Sequence, residues 1–298
     1  MKKHFCLALL LTILLTGLVL VGCKQTSGQT RAKGGQQTQE GTQGTRVSYI
    51  DVGKGDCILI QTGGVAALVD TGYSGTYDKV VSYLRKQGVE RLDCIVLSHY
   101  DKDHVGGIAP IAQIFPTDTV FLPGYEGSDN NYYGTIKAIE TLDLPVRQVT
   151  TDASYELGDA RLDLFPSQVA YVSGGKGEEG NDNDCSLVAA LVCGGDSYLF
   201  AGDLEDKGIA SFTKEGHGHY DVLKMPHHGE RAKNTDDLLE EVQPKIAIIT
   251  DSQDQPADKK LLKSLKKRGV DTHRTSVDGT IVVEGDGAGS YSVTTASK

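Results

Sequence analysis

Tryptophan is absent from the 298 residues, and methionine occurs only twice and proline eight times. The 36 glycines therefore come without the proline of a collagenous chain, and they point to many tight turns. Positive charge is also scarce: 30 Lys and Arg stand against 40 Asp and Glu, for a net charge of −10. The shortage is greater than it looks, because Lys2, Lys3, Lys24, Arg31, Lys33 and Arg46 lie in the first 46 residues with Glu40 as their only acidic partner. The remainder is too acidic to grip long DNA or RNA through a basic track, unless bound divalent metals reverse the sign locally. Six cysteines form no C-x-x-C pair. With 39% hydrophobic and 23% charged residues, the balance is that of a globular protein and excludes a fibrous or fully disordered chain.

One long apolar run exists, at residues 5–21, after the basic Met1-Lys2-Lys3. It falls slightly short of the about 20 residues that span a bilayer. It ends in Leu20-Val21-Gly22-Cys23, which resembles a bacterial lipobox. That resemblance implies cleavage before Cys23, lipid on the cysteine, and a protein anchored at the extracytoplasmic face of the cell membrane. A secretory signal or an uncleaved anchor is the alternative, and each of these exports the chain. Residues 24–46 carry Gly, Gln, Thr and Ser with almost nothing apolar, and read as a flexible tether. The expected organisation is a signal at 1–23, a tether at 24–46 and one domain at 47–298. Within that domain Cys57, Cys94, Cys185 and Cys193 are expected as buried free thiols, the last two on one strand and too far apart to bridge.

Val47–Asp51, Cys57–Gln61 and Ala66–Asp70 are short apolar runs between Gly-rich turns, as in an antiparallel meander. Helical spacing from Tyr77 to Leu84 stops at Gly88, and the apolar run Leu92–Leu97 has the character of a strand buried on both faces. A helix is expected around 105–114, a strand at 119–122, and loops at 124–134 and 173–184. A hairpin at 187–201 precedes an alternation: strand 221–224, helix 235–241, strand 245–250, helix 257–268, then strands near 280–284 and 290–294. Hairpins first and β/α alternation later predict an α/β (α+β) four-layer αββα sandwich.

The chemistry concentrates in Ser98-His99-Tyr100-Asp101-Lys102-Asp103-His104-Val105-Gly106-Gly107, directly after a buried strand. Imidazole and carboxylate together suit zinc, manganese or iron. One short loop cannot wrap all four side chains round a single ion without strain, so two neighbouring ions are expected. This H-x-D-x-D-H-x-G-G resembles the signature of metallo-β-lactamase-fold hydrolases. Tyr49–Asp56, Leu68–Gly72, Asn183–Val188, Phe200–Asp203 and Val222–Gly229 resemble, in order, further motifs of the ComEC-type competence subgroup, with Lys54 where that subgroup has Gln. Surface phosphorylcholine esterases are similar in layout.

The resemblance implies that His99 and Asp101 hold a first metal, that Asp103 and His104 hold a second, and that Asp203 bridges them. His228 would complete the second site and His227 would face substrate, with the roles of that adjacent pair open to exchange. Asp103 and His227 are the candidate catalytic residues. Most binuclear members supply another mid-chain His to the first metal; this sequence offers Asn183 or Asp184 there, which implies an oxygen-rich site. Two divalent ions, zinc or manganese, would activate water and polarise a phosphoryl or carbonyl oxygen. Asp51, Asp56 and Asp70 are candidates either for orienting ligands or for capping turns. Ser186 reads as a turn support, His217, His219 and His273 as surface histidines, and the lysines of 259–268 as a solvated helix face. The function these readings favour is a lipid-anchored phosphodiesterase or nuclease acting on DNA or a cell-wall polymer. The alternatives are an ester, lactone or phosphorylcholine ester hydrolase, and a binding module without turnover.

Overall fold

The computed structural model describes residues 44–173 and 181–296. The expected signal, Cys23 and tether residues 24–43 lie outside them. From β1 (Arg46–Tyr49) the chain meanders through β2 (Ile58–Thr62) and β3 (Val65–Val69), then crosses by α1 (Tyr77–Lys86) to β4 (Cys94–Val96). Two helices, α2 (Lys102–Val105) and α3 (Ile108–Ile114), lead to β5 (Val120–Pro123), and α4 (Asn130–Thr141) leads to β6 (Val146–Val149). β7 (Ala153–Leu157), β8 (Ala160–Phe165), β9 (Val188–Cys193) and β10 (Asp196–Phe200) follow as antiparallel neighbours. Next come α5 (Asp206–Glu215), β11 (Val222–Lys224), α6 (Thr235–Val242), β12 (Ile246–Ile249), α7 (Lys259–Arg268) and β13 (Asp271–Arg274). A short α8 (Thr275–Asp278) precedes the closing hairpin of β14 (Ile281–Gly285) and β15 (Tyr291–Thr295). Among the described residues no helix is long and apolar enough to cross a membrane.

The strands form two sheets, ordered β15-β14-β1-β2-β3-β4-β5-β6 and β13-β12-β11-β10-β9-β8-β7. Their period-two alternation fills three apolar layers. Ile58 and Ile60 of β2 face the second sheet with Leu162, Leu191, Tyr198 and Val222, while Leu59 turns outward to Val80, Leu84 and Ile111 of the helices. On the other side Val188, Ala190 and Leu223 pack against Ile209, Leu238 and Leu261. This is the expected αββα sandwich, and burial of both faces explains the unbroken apolar runs at 92–97 and 187–193. The four cysteines are buried thiols, not joined in disulfides. Cys185 sits in a 3-10 turn rather than on a strand.

Several elements depart from the expectation. The helix around 105–114 is broken at Gly106-Gly107, where the chain presses on the 71–74 turn. Residues 130–134 open α4 instead of closing a loop, because the Asp129 side chain accepts from Tyr132 N at 2.8 Å and caps it. β6 and β7 are mostly exposed, so they lack the apolar pattern that marks strands from sequence.

Candidate metal centre

In each sheet the strands of one half run parallel out to the edge, β3 to β6 in one and β10 to β13 in the other. Side chains just beyond their carboxyl ends converge on one edge of the sandwich: Asp70 after β3, His99–His104 after β4, Asp203 after β10, His228 after β11 and Thr250 after β12. Open α/β sheets characteristically place ligands there. The loop after β4 is clamped from both sides. Asp103 O accepts from Asp56 N at 3.1 Å and His104 O from Thr71 N at 2.6 Å. A Cβ on Gly106 would lie 2.5 Å from Ser74 N, and one on Gly107 2.3 Å from Thr71 O, so only glycine lets the loop seat. Asp101 is extended (φ −66°, ψ 145°) ahead of α2, whose single turn carries Asp103 and His104.

Three buried imidazoles share one arrangement: each Nδ1 meets an oxygen acceptor. His104 Nδ1 lies 2.8 Å from Asp70 Oδ2, His99 Nδ1 lies 3.0 Å from Ser98 Oγ, and His228 Nδ1 lies 3.2 Å from Thr250 Oγ1. The two hydroxyls spend their own protons elsewhere, Ser98 on Asp70 at 2.7 Å and Thr250 on Asp56 at 2.6 Å. All three rings are thereby fixed with the Nε2 edge, the metal-binding edge, turned to the centre. His104 Nε2 and His228 Nε2 stand 3.3 Å apart, and Asp203 Oδ2 lies 3.3 Å from the first and 3.0 Å from the second. Asp103 Oδ2 approaches His228 Nε2 at 3.3 Å. His99 Nε2 is buried with no hydrogen-bond partner, and Asp101 Oδ2 stands 3.7 Å from it.

Charge in the centre is balanced internally. Burial alone would lower His104, but Asp203 and Asp70 raise it well above the ordinary imidazole value; His228 is raised likewise by Asp203 and Asp103. Burial pushes Asp103 up, yet its hydrogen bond to His228 and the charges of His104 and His228 hold it at about 2. Burial also opposes ionisation of Asp203, and His104, His228 and Lys224 hold it well below the usual carboxylate range. These imidazoles and carboxylates are donors of the kind that divalent ions replace protons on, and the unpartnered Nε2 of His99 fits the same chemistry.

A profile of the metallo-beta-lactamase superfamily matches residues 50–249. The chain belongs to the metallo-β-lactamase superfamily. It is 24% identical over 259 residues to ComE operon protein 3 of Bacillus subtilis, a match covering 79% of this chain and 32% of that protein. It is 30% identical over 207 residues to Competence protein ComA of Neisseria gonorrhoeae, covering 68% and 26% respectively. The chain thus spans about a quarter to a third of the length of these relatives. The metallo-beta-lactamase fold protein YhfI from Bacillus subtilis superposes with a TM-score of 0.55 at 15% identity, covering 81% of this chain and all of that one. The ComEC-type resemblance and the αββα fold are therefore both established.

In this metallo-β-lactamase domain the His227–His228 pair is separated by an unusual backbone. Both residues adopt positive φ, 47° and 52°, which costs on the order of 1–3 kcal/mol each. The turn sends His228 inward and leaves His227 outside, with Nδ1 3.2 Å from Glu205 Oε1. His227 lines a cleft of about 240 Å³ with Glu230, Arg231 and Lys233, and His228 lines a neighbouring one of about 390 Å³ with Lys54 and Gln255. Lys54, standing where the subgroup has Gln, pairs with Glu230 at 2.5 Å.

Two participants received no role from the sequence. Lys224 is fully buried behind the centre, its ammonium paired with Asp56 and 3.4 Å from Asp203 Oδ1. Asp56 and Asp203 keep it charged against its burial. It shares a face of β11 with Val222, opposite to Leu223, and so points between the sheets; a lysine at an apolar position is the signal the sequence held. The second is Asp182, whose carboxylate lies with His99 and Asp101. Burial raises its carboxyl above the ordinary range.

Other candidates lie away from the centre. Asn183 donates to Glu205 at 3.0 Å, and Asp184 accepts from Lys207 N and Gly208 N at the start of α5, so neither reaches the first site. Asp51 braces a turn, accepting from Gly53 N and pairing with Lys79. Ser186 Oγ accepts from Asp203 N, a turn-supporting contact. His219 is exposed, but His217 is packed between Phe165 and Phe212, ring centroids 4.2 and 4.5 Å away, and so is half-buried rather than a surface residue. His273 is also half-buried. On α7, Leu261 and Leu265 are buried and the lysines face solvent or its margin.

Proposed function

We propose that the domain is a metal-dependent phosphodiesterase or nuclease with two divalent ions, exported and lipid-anchored through Cys23. The observation that carries the metal centre is the common orientation of His99, His104 and His228, each with Nδ1 satisfied and Nε2 turned inward beside Asp103 and Asp203. His99 and Asp101 would hold one ion, Asp103, His104 and His228 the other, with Asp203 shared. Bound there, zinc or manganese supplies activated water and a counter-charge for the reacting oxygens. Asp70, Ser98 and Thr250 hold the imidazoles in the ligating tautomer.

The adjoining clefts bring Lys54, Arg231 and Lys233 beside His227 and His228, with Glu205, Asp206, Glu230 and Asp258 in the same linings. Lys54 is paired with Glu230 and Arg231 with Asp236, so the counter-charge for a phosphodiester would come chiefly from the bound ions. His227, with Nδ1 at Glu205, keeps its other nitrogen for a leaving oxygen and would donate a proton to it. The competence proteins among its relatives make DNA the first substrate to try, and the lipid anchor makes a cell-wall phosphodiester the second. Hydrolysis of bis(p-nitrophenyl) phosphate and single-stranded DNA, beside Asp103→Ala, tests the reading. Turnover that needs metal and disappears in the variant is expected. Two bound metals with turnover of carbon esters alone would overturn it.

A further inference from the structure

The two halves of the centre differ in donor chemistry. Around His104 and His228 there are two imidazole nitrogens with the carboxylates of Asp103 and Asp203. His99 groups with His104 and Asp203 on the inner side and with oxygens of Asp101 and Asp182 on the outer side, the donor atoms of each group lying within 4.8 Å of one another. The donors that belong to its side alone are therefore both carboxylates. The ring of His99 is fully buried and its inward nitrogen has no hydrogen-bond partner, so this side of the centre is built for a ligand. Asp182 is held in place independently of any ion. Its Oδ2 accepts from Tyr100 N at 3.1 Å and its Oδ1 from the Tyr125 hydroxyl, which leaves a lone pair on each oxygen. Tyr125 is itself fixed against Tyr100 and stacked on Tyr171, at centroid distances of 5.3 and 4.7 Å.

Resting on the two-metal reading above, we infer that Asp182, positioned by Tyr125, is the third protein ligand of the first site and makes that site select a hard divalent ion while the second keeps zinc. Carboxylate oxygens favour manganese or magnesium, and imidazole nitrogens favour zinc. The centre would then be chemically asymmetric, with one tightly held ion and one exchangeable ion.

The test is metal content and affinity of the full chain, stripped with chelator and then dialysed against zinc, manganese or both. Elemental analysis gives ions per chain, and electron paramagnetic resonance reports manganese. The wild type should keep one zinc through dialysis and take manganese at the other position. Asp182→Asn should lose the manganese, with at least a tenfold fall in affinity, and keep the zinc. Asp182→His, restoring an imidazole, should bind a second zinc tightly and lose its manganese signal. Tyr125→Phe should weaken manganese about tenfold, as loss of an outer hydrogen bond does. Should Asp182→Asn fail to fold, Asp182→His and Tyr125→Phe decide the matter. Unchanged manganese binding in the variants that fold would overturn the inference alone. Wild type that binds no metal would overturn the two-metal reading and the inference with it.

Discussion

The first sheet has two ends, and they are very unlike. Near the amino ends of β4 and β5 lies the larger hollow, about 580 Å³, lined by Gln61, Thr62, Glu90, Arg91, Asp93 and Asp118. Its ion pair, Arg91 with Asp118, is exposed on both sides. At the carboxyl ends the adjoining clefts are smaller, but His99, His104, Asp70, Asp203 and Lys224 are buried together. Concavity therefore does not mark the site here. What marks it is titratable groups held out of water and made to satisfy one another, which only strand ends with clamped loops supply.

That contrast can be broken in four places. The largest effect is expected from Lys224→Met. It strips the cation from two buried carboxylates, Asp56 and Asp203, and breaking a buried pair costs about 3–5 kcal/mol. Chemical denaturation of the metal-free protein reads it, and a loss below 1 kcal/mol would show that the lysine is dispensable. Next is Asp70→Asn, which removes the carboxylate holding His104 in its ligating tautomer. Loss of such a partner lowers metal affinity about 10–100-fold. Equilibrium dialysis with zinc measures it, and unchanged affinity would remove Asp70 from the centre.

Third is pH. In the metal-free protein His104 and His228 are raised above 6.5, so their stabilisation is complete below that value and fades as pH climbs through their folded pKa. Asp103, held at about 2, contributes above 3.8 and loses its contribution as pH falls toward 2. The metal-free Tm should therefore fall from pH 6 to pH 8.5. With zinc the trend should reverse, because ligation needs the deprotonated rings. Parallel melts with chelator and with zinc check this, and identical slopes would contradict it. Smallest of all is Arg91→Ala at the far end. An exposed pair contributes about 0–1 kcal/mol, so stability should move by less than that and turnover not at all.

How much of this was legible before folding varies residue by residue. The loop from His99 to Gly107 can be read directly, since four donors and two glycines are adjacent in the chain. Asp203 and His228 are visible through the motifs that contain them. Asp51 and Asp70 look equivalent in sequence, each closing an apolar run before a Gly turn. Only the fold puts Asp70 on His104 and Asp51 on Lys79. The sequence points to Asn183 or Asp184 as the mid-chain ligand and passes over Asp182. A 3-10 turn directs Asp184 to the start of α5 and leaves Asp182 by His99. The edge strands β6 and β7 were invisible because little of their surface is buried.

The sequence by itself determined the layers and the chemistry. Apolar alternation reports which faces are buried, and residue type reports which atoms can bind a metal; both are local properties. The tertiary structure decided which member of each like pair does the work: His228 over His227 for the interior, Asp70 over Asp51, Asp182 over its neighbours, and Lys224 as the internal cation. Those choices depend on contacts between residues as far apart as Asp56 and Thr250, and on a positive-φ turn at 227–228 that only its surroundings hold in place.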